Sequence, residues 1–205
     1  MYTALYNNPE ERMFTTYTWV YWDNAFNEEE LTKIENYCLS YQTEKAAVVG
    51  EDDIEQTEKI RKSKIKFYSR NTENYWIFEK INTIASMINE IYYNYNLNGY
   101  SEFQYTEYHA SELGEYTWHM DMLHGQNKFN TTRKLSMVMC LSDPEKDFVG
   151  GEFQINNGNQ NEPETVMMQR GRMIFFPSYM IHRVKPVTSG IRKSIVIWIT
   201  GPKFV

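Results

Sequence analysis

His119 and Asp121, in the stretch TWHMDMLHG (117–125), stand two residues apart. In extended chain, residues i and i+2 face the same side, so imidazole and carboxylate can reach one metal ion together while Met120 points away. A third donor lies far along the chain. His182 sits in MIFFPSYMIHRVKPVTSGIRKSIVIWI, which reads as an apolar strand, a turn, a strand opening with the histidine, and a final strand beginning at Arg192. In a jelly roll, strands remote in sequence lie side by side, and His182 can then close a triangle with His119 and Asp121. Two neutral imidazoles and one carboxylate on one face suit Fe(II) with open coordination positions. That donor set leaves the metal one net positive charge, a match for a chelating 2-oxoacid. Arg192 supplies the fixed cation that the far carboxylate of 2-oxoglutarate needs, because guanidinium binds carboxylate bidentately. Two other readings use the same three residues: a zinc hydrolase with a bound water, and a non-catalytic, cupin-like binding module. The hydrolase would want a nearby acid as base and leaves Arg192 without a task.

Elements able to position these residues are visible in the patterning. Residues 15–22 (TTYTWVYW) are β-branched and aromatic, and Asn27 caps an acidic first turn followed by Leu31, Ile34 and Cys38, which predicts strand, cap and helix. Charged, weakly periodic 43–60 reads as a mobile surface loop, and RKSKIKFYS (61–69) as a basic strand. From Glu73 to Asn96, apolar residues at helical spacing predict a long amphipathic helix closed by Asn98-Gly99. After Gly99, eight short runs alternate with turn signals, from EFQYTEYH to RKSIVIWIT. That spacing predicts antiparallel strands, since no helix-length segment separates them. The expectation is a mainly β protein with flanking helices and a double-stranded β-helix (jelly-roll, cupin-like) core. Residues 1–205 form a single domain, with strands and supporting helices over 1–99 and the core over 100–200.

The composition narrows the function. Aromatics make up 16% of the 205 residues, which favours sheet over a helical bundle. A net charge of −6 argues against a broad phosphate-binding surface, so nucleic acid is a poor candidate partner. Cys38 and Cys140 stand far apart, without a CxxC pattern, and read as buried thiols of a cytoplasmic protein. The first residues carry no signal-peptide pattern, and no apolar run is long enough to span a membrane.

Three stretches, GEYTWHMD, RKLSMVMCLSDPEKDFVGGEF and FFPSYMIHRVKPVTSGIRKSIVIW, resemble the Fe(II)/2-oxoglutarate dioxygenases of the prolyl-4-hydroxylase-like (PKHD-type) family. The resemblance spans roughly residues 100–200, with a looser match at IRKSKIKFY. It implies that His119, Asp121 and His182 bind iron and that Arg192 holds the distal carboxylate of 2-oxoglutarate. It further implies that Tyr108 lines the cosubstrate pocket and that Trp198 packs beside the site. One departure stands out: Cys140 occupies a strand position where some relatives carry a tyrosine that helps hold the cosubstrate, which shifts weight to Arg192 and Tyr108. His124, five residues from His119, reads as a loop residue near the substrate mouth rather than a ligand, and His109 as out of phase with Tyr108. Gly150 and Gly151 read as turn or close-packing residues.

The implied activity is hydroxylation of a substrate C–H with release of succinate and CO2, ascorbate serving as accessory reductant. No protein general base is needed, which fits the lack of HExxH or paired-carboxylate motifs. The resemblance favours a prolyl or other residue of a peptide or protein as substrate, covered by the 43–60 loop and the basic strand. Arg133 reads first as a surface salt bridge and second as a contact to such a peptide.

Overall fold

The computed structural model describes residues 17–40, 44–46, 59–122, 130–158 and 161–203. Val20–Trp22 forms β1. Helix α1 (Glu28–Leu39) starts at Asn27, whose side chain accepts from the Glu30 amide while the Glu30 carboxylate accepts from the Asn27 amide. This reciprocal cap satisfies two of the amides that a helix start leaves open. β2 (Glu44–Lys45) pairs with β3 (Lys64–Ser69). Part of the expected 43–60 loop is therefore a short edge strand, and residues 47–58 lie outside the described residues.

Helix α2 (Tyr75–Ile88) buries Ile77, Phe78, Ile81, Ile84, Ala85 and Ile88 along one side. It is shorter than its periodicity predicts. Asn89–Tyr93 opens into a wide π turn, Asn94 takes a left-handed conformation, and the Asn89 side chain binds both the amide and the carbonyl of Tyr95. The asparagines at 89 and 94 end the helix through side-chain bonds and a positive φ, neither of which an apolar repeat reveals.

The remaining strands are β4 (Glu102–His109), β5 (Tyr116–His119), β6 (Thr131–Cys140), β7 (Phe148–Gly150), β8 (Phe153–Ile155), β9 (Glu164–Val166), β10 (Met173–Pro177), β11 (His182–Val184) and β12 (Val187–Pro202). The major sheet runs β1-β10-β6-β12-β4-β3-β2, with β7 also on β12, and the minor sheet runs β5-β11-β8-β9. Two strands, β7 and β8, replace the single one expected from GGEFQI. The chain turns between them at Gly151, with φ of +64°, where a Cβ would stand 2.9 Å from Val187 Cγ2 and 3.0 Å from Arg192 Cδ. Arg192 does not begin a strand either. It lies inside one long strand, which changes partner from β7 to β4 and β6 around Gly190, where φ is +69°.

Alternation along the strands divides the interior in two. Phe103, Tyr105, Leu135, Met137, Met139, Met173, Phe175, Ile195, Ile197 and Ile199 pack with α1 and α2. Their neighbours Tyr108, Val138, Cys140, Ile174 and Phe176 pack instead with Phe153, Ile155, Val166 and Val184 of the minor sheet. The core that backs the jelly roll thus includes residues from both halves of the chain. No helix among the described residues is long and apolar enough to cross a membrane.

Candidate active site

The second of these interiors carries the polar residues. On β4, Gln104 and Tyr108, and on β12, Arg192, Ser194, Val196 and Trp198, line one cleft with His119, Asp121 and His182. The cleft encloses about 400 Å³, part of it open to solvent. His119 closes β5 and His182 opens β11, where the two residues are direct cross-strand partners. Asp121 lies just past β5. Its amide and that of Met122 both donate to the Ser178 carbonyl, at 2.9 and 2.8 Å, which hooks the chain onto the turn after β10 and swings the carboxylate inward. One ligand atom from each of His119, Asp121 and His182 lies within 4.8 Å of the other two.

The surroundings of the three side chains orient them. His119 Nδ1 lies 2.7 Å from the Thr117 carbonyl and His182 Nδ1 lies 2.9 Å from the Met180 carbonyl. A carbonyl can only accept, so each Nδ1 carries the hydrogen and each Nε2 presents its lone pair, as metal-binding histidines require. Nε2 of His182 and of His119 face opposite oxygens of Asp121, at 3.6 and 3.9 Å. Burial, reinforced by His182, drives the His119 imidazole down to about 3, so the ring is neutral at neutral pH. Burial pushes the Asp121 carboxyl up, but the two histidines, the Ser136 hydroxyl and the Trp198 indole outweigh it and hold the group below its usual range. Ser136 Oγ donates to Asp121 Oδ2 at 2.7 Å and lies 2.9 Å from Ser178 Oγ. The Trp198 N–H is near enough to act on the carboxylate yet finds no partner in good hydrogen-bond geometry.

Deeper in the cleft, Arg192 is 1% exposed. Its Nη1 donates to Ser194 Oγ at 3.3 Å, whereas Nε and Nη2 have no partner. Tyr108 is its cross-strand neighbour, with the guanidinium carbon 5.5 Å from the ring centre. A buried guanidinium with unsatisfied donors is costly unless an anion completes it. The donor set and this orphaned cation therefore fit a metal with a chelating dicarboxylate. Cys140, by contrast, gives its thiol to the Ser142 carbonyl at 3.2 Å and does not line the cleft.

Other expectations are placed as follows. Trp198 lines the cleft, half-buried. His109 is turned to Glu107, 2.8 Å away, and His124 lies outside the described residues. Arg133 is not in a salt bridge among the described residues: it lies 4.0 Å over Trp198 and reaches the Asp121 carbonyl at 3.5 Å. The cause is an irregularity in the β6–β12 ladder, where Ile199 pairs with Leu135 but Thr200 with Arg133. One extra residue reverses the alternation and turns Arg133 to the cleft side. Sequence reasoning also missed Ser136, Tyr116 and Arg61. Tyr116 stacks on His119 at 3.4 Å between ring centres, and Arg61 lies 4.7 Å over Tyr116. Ser136 shares the parity of Val138 and Cys140 on its strand, the one signal that could have flagged it; Arg61 is brought in only by pairing of 61–62 with 115–116.

Comparison with known proteins agrees with this geometry. Residues 103–200 match the model of the 2OG-Fe(II) oxygenase superfamily. A PKHD-type hydroxylase from Synechococcus sp. (strain CC9902) is 37% identical over 94 residues, which is 43% of this chain and 38% of the relative. Another, from Hyphomonas neptunium, is 38% identical over 91 residues, 44% of this chain and 39% of the relative. The matches thus span about two fifths of those relatives' length. In three dimensions, a prolyl-4-hydroxylase from Pseudomonas putida superposes with a TM-score of 0.69 at 16% identity, over 92% of this chain and 95% of that one. A Trichoplax adhaerens prolyl hydroxylase, solved with a hypoxia inducible factor peptide fragment, gives 0.70 at 19% identity, over 90% and 84%. These two share the fold. Residues 103–200, the segment that holds the His-Asp-His cluster and Arg192, are thus similar to the 2OG-Fe(II) oxygenase superfamily.

Proposed function

We propose that this protein is an Fe(II)- and 2-oxoglutarate-dependent hydroxylase acting on a residue of a peptide or protein, a prolyl residue first. The observation that carries the reading is the fully buried, incompletely bonded Arg192 in the same cleft as the His-Asp-His cluster. Bound iron and 2-oxoglutarate, with dioxygen, supply an oxidant able to attack an unactivated C–H bond, releasing succinate and CO2.

This chain's residues do the rest. His119, Asp121 and His182 would hold the metal. Arg192, with Nε and Nη2 unpartnered, would take the distal carboxylate, and the Tyr108 ring packs against its guanidinium. Ser136 and Ser178 orient the Asp121 carboxylate. Phe153, Val138, Val184 and Val196 keep the cleft wall apolar, which limits water near the reacting centre. A zinc hydrolase fits less well, because among the described residues Asp121 is the one carboxylate lining the cleft and no second acid is left as base. The choice of a peptide rests on the shared fold with prolyl hydroxylases, one of them solved with a peptide. A cytoplasmic location and ascorbate as reductant complete the proposal.

The test is succinate formation from 2-oxoglutarate by anaerobically purified protein given Fe(II), ascorbate and air. Turnover that vanishes in His182→Ala and persists in His124→Ala is expected. Absence of both turnover and 2-oxoglutarate-dependent thermal stabilisation would favour a binding module.

A further inference from the structure

We propose that the mouth of this cleft recognises an acidic peptide, with Arg61 and Arg133 receiving an Asp or Glu carboxylate next to the residue that is oxidised. This inference rests on the peptide-hydroxylase reading and names the class of its substrate.

The arginines divide by their partners. Among the described residues, Arg70 pairs with Glu79 at 2.9 Å, Arg170 with Glu28 and Glu35 at 3.1 and 3.2 Å, and Arg172 with Asp23 at 2.7 Å. All three lie away from the cleft. Among the described residues, Arg61, Arg133, Arg183 and Arg192 form no ion pair with a carboxylate, although the chain carries more acids than bases. Arg183, next to inward-facing His182, stands on the outer side of the minor sheet, 4.4 Å over Trp118 and bonded to Gln154. Arg192 is assigned to the cosubstrate. Arg61, which lines the cleft, and Arg133, which stands at its edge over Trp198 and against the Asp121 backbone, remain.

Their settings are alike. Arg61 is only 7% exposed, lies over Tyr116 and spends Nε on Ser63 Oγ at 2.8 Å. Tyr116 in turn covers His119. Arg133 lies over Trp198 and touches the backbone of Asp121 through one long bond. Each guanidinium carbon stands over an aromatic ring, at 4.7 Å for Arg61 and 4.0 Å for Arg133, a contact that holds the head group while its N–H groups can serve a bidentate acceptor. The two flank the metal cluster, one beside His119 and one beside Asp121. Two guanidiniums that flank one site and make no carboxylate ion pair among the described residues are stabilised when an anion binds beside them.

The position of the anion follows from reach. Arg133 touches a ligand residue's backbone, and successive Cα atoms are about 3.8 Å apart, so a carboxylate within one or two residues of the target C–H falls to these arginines. A nucleic acid would need a stripe of phosphate contacts, whereas this mouth offers two guanidiniums on a chain of net charge −6.

Fluorescein-labelled peptides with a central Asp-Pro-Asp, Asn-Pro-Asn or Lys-Pro-Lys sequence test this by fluorescence anisotropy, under argon with Fe(II) and 2-oxoglutarate. The Asp peptide is expected to bind at least tenfold tighter than the Asn peptide, with the Lys peptide weakest. Arg133→Gln and Arg61→Gln should each collapse the Asp-to-Asn ratio toward one, and Arg133→Lys should keep part of it; circular dichroism checks that each variant folds. Equal binding of Asp and Asn peptides, or no binding by either, overturns the inference, as does tighter binding of a labelled single-stranded oligonucleotide. Thermal stabilisation by 2-oxoglutarate in the same samples separates the two levels: its presence beside equal peptide binding defeats only the acidic preference, and its absence defeats the hydroxylase reading.

Discussion

On β12, Ile195, Ile197 and Ile199 enter the helix-backed core while Arg192, Ser194, Val196 and Trp198 enter the cleft. β6 divides the same way, with Leu135, Met137 and Met139 against the helices and Ser136 in reach of Asp121. The helix-facing set is apolar and fully packed. The cleft-facing set contains a buried guanidinium with two orphaned donors and a tryptophan N–H without a partner. One residue of pleat separates them, so a single strand both stabilises the fold and carries groups whose cost only a ligand offsets.

Substitutions can break that contrast. The largest effect is expected for His182→Ala, which should lose metal and abolish 2-oxoglutarate turnover while the helix-backed core stays folded; metal analysis and circular dichroism on one sample check both. Ile197→Ala should do the reverse, costing about 2–5 kcal/mol in denaturant titration through a lost core contact while metal content per folded molecule persists. Arg192→Met should raise the 2-oxoglutarate concentration for half-maximal turnover on the order of 100-fold. Because it removes an unpaired buried charge, it should also raise the metal-free unfolding free energy by about 1–3 kcal/mol; a destabilised Arg192→Met would show that the guanidinium has a structural partner. Ser136→Ala, which removes the bond to Asp121 Oδ2, should weaken metal binding about 10–100-fold by competition with a chelator, with a smaller change in stability.

Much of the site was legible because it depends on local spacing. The two-residue step from His119 to Asp121 survives any strand geometry, and the Asn27 cap and the apolar positions of α1 are local as well. The end of α2, the strand boundaries at Gly150-Gly151 and the place of Arg192 within β12 were misjudged, because each depends on a partner strand or a side-chain bond outside the window of periodicity. Arg133 was misjudged for a sharper reason: the irregularity that turns it to the cleft is a property of the β6–β12 pairing, not of either strand.

The sequence by itself determined the donor types, the alternation that separates core from cleft and the cation suited to a dicarboxylate, since these follow from residue chemistry and a period of two. Only the tertiary structure decided that His119 and His182 are cross-strand partners, that Ser178 draws Asp121 inward, and that Tyr116, Arg61 and Arg133 crowd the mouth. Those relations join residues up to 121 positions apart, Arg61 and His182, and no local pattern encodes which distant strands share a register.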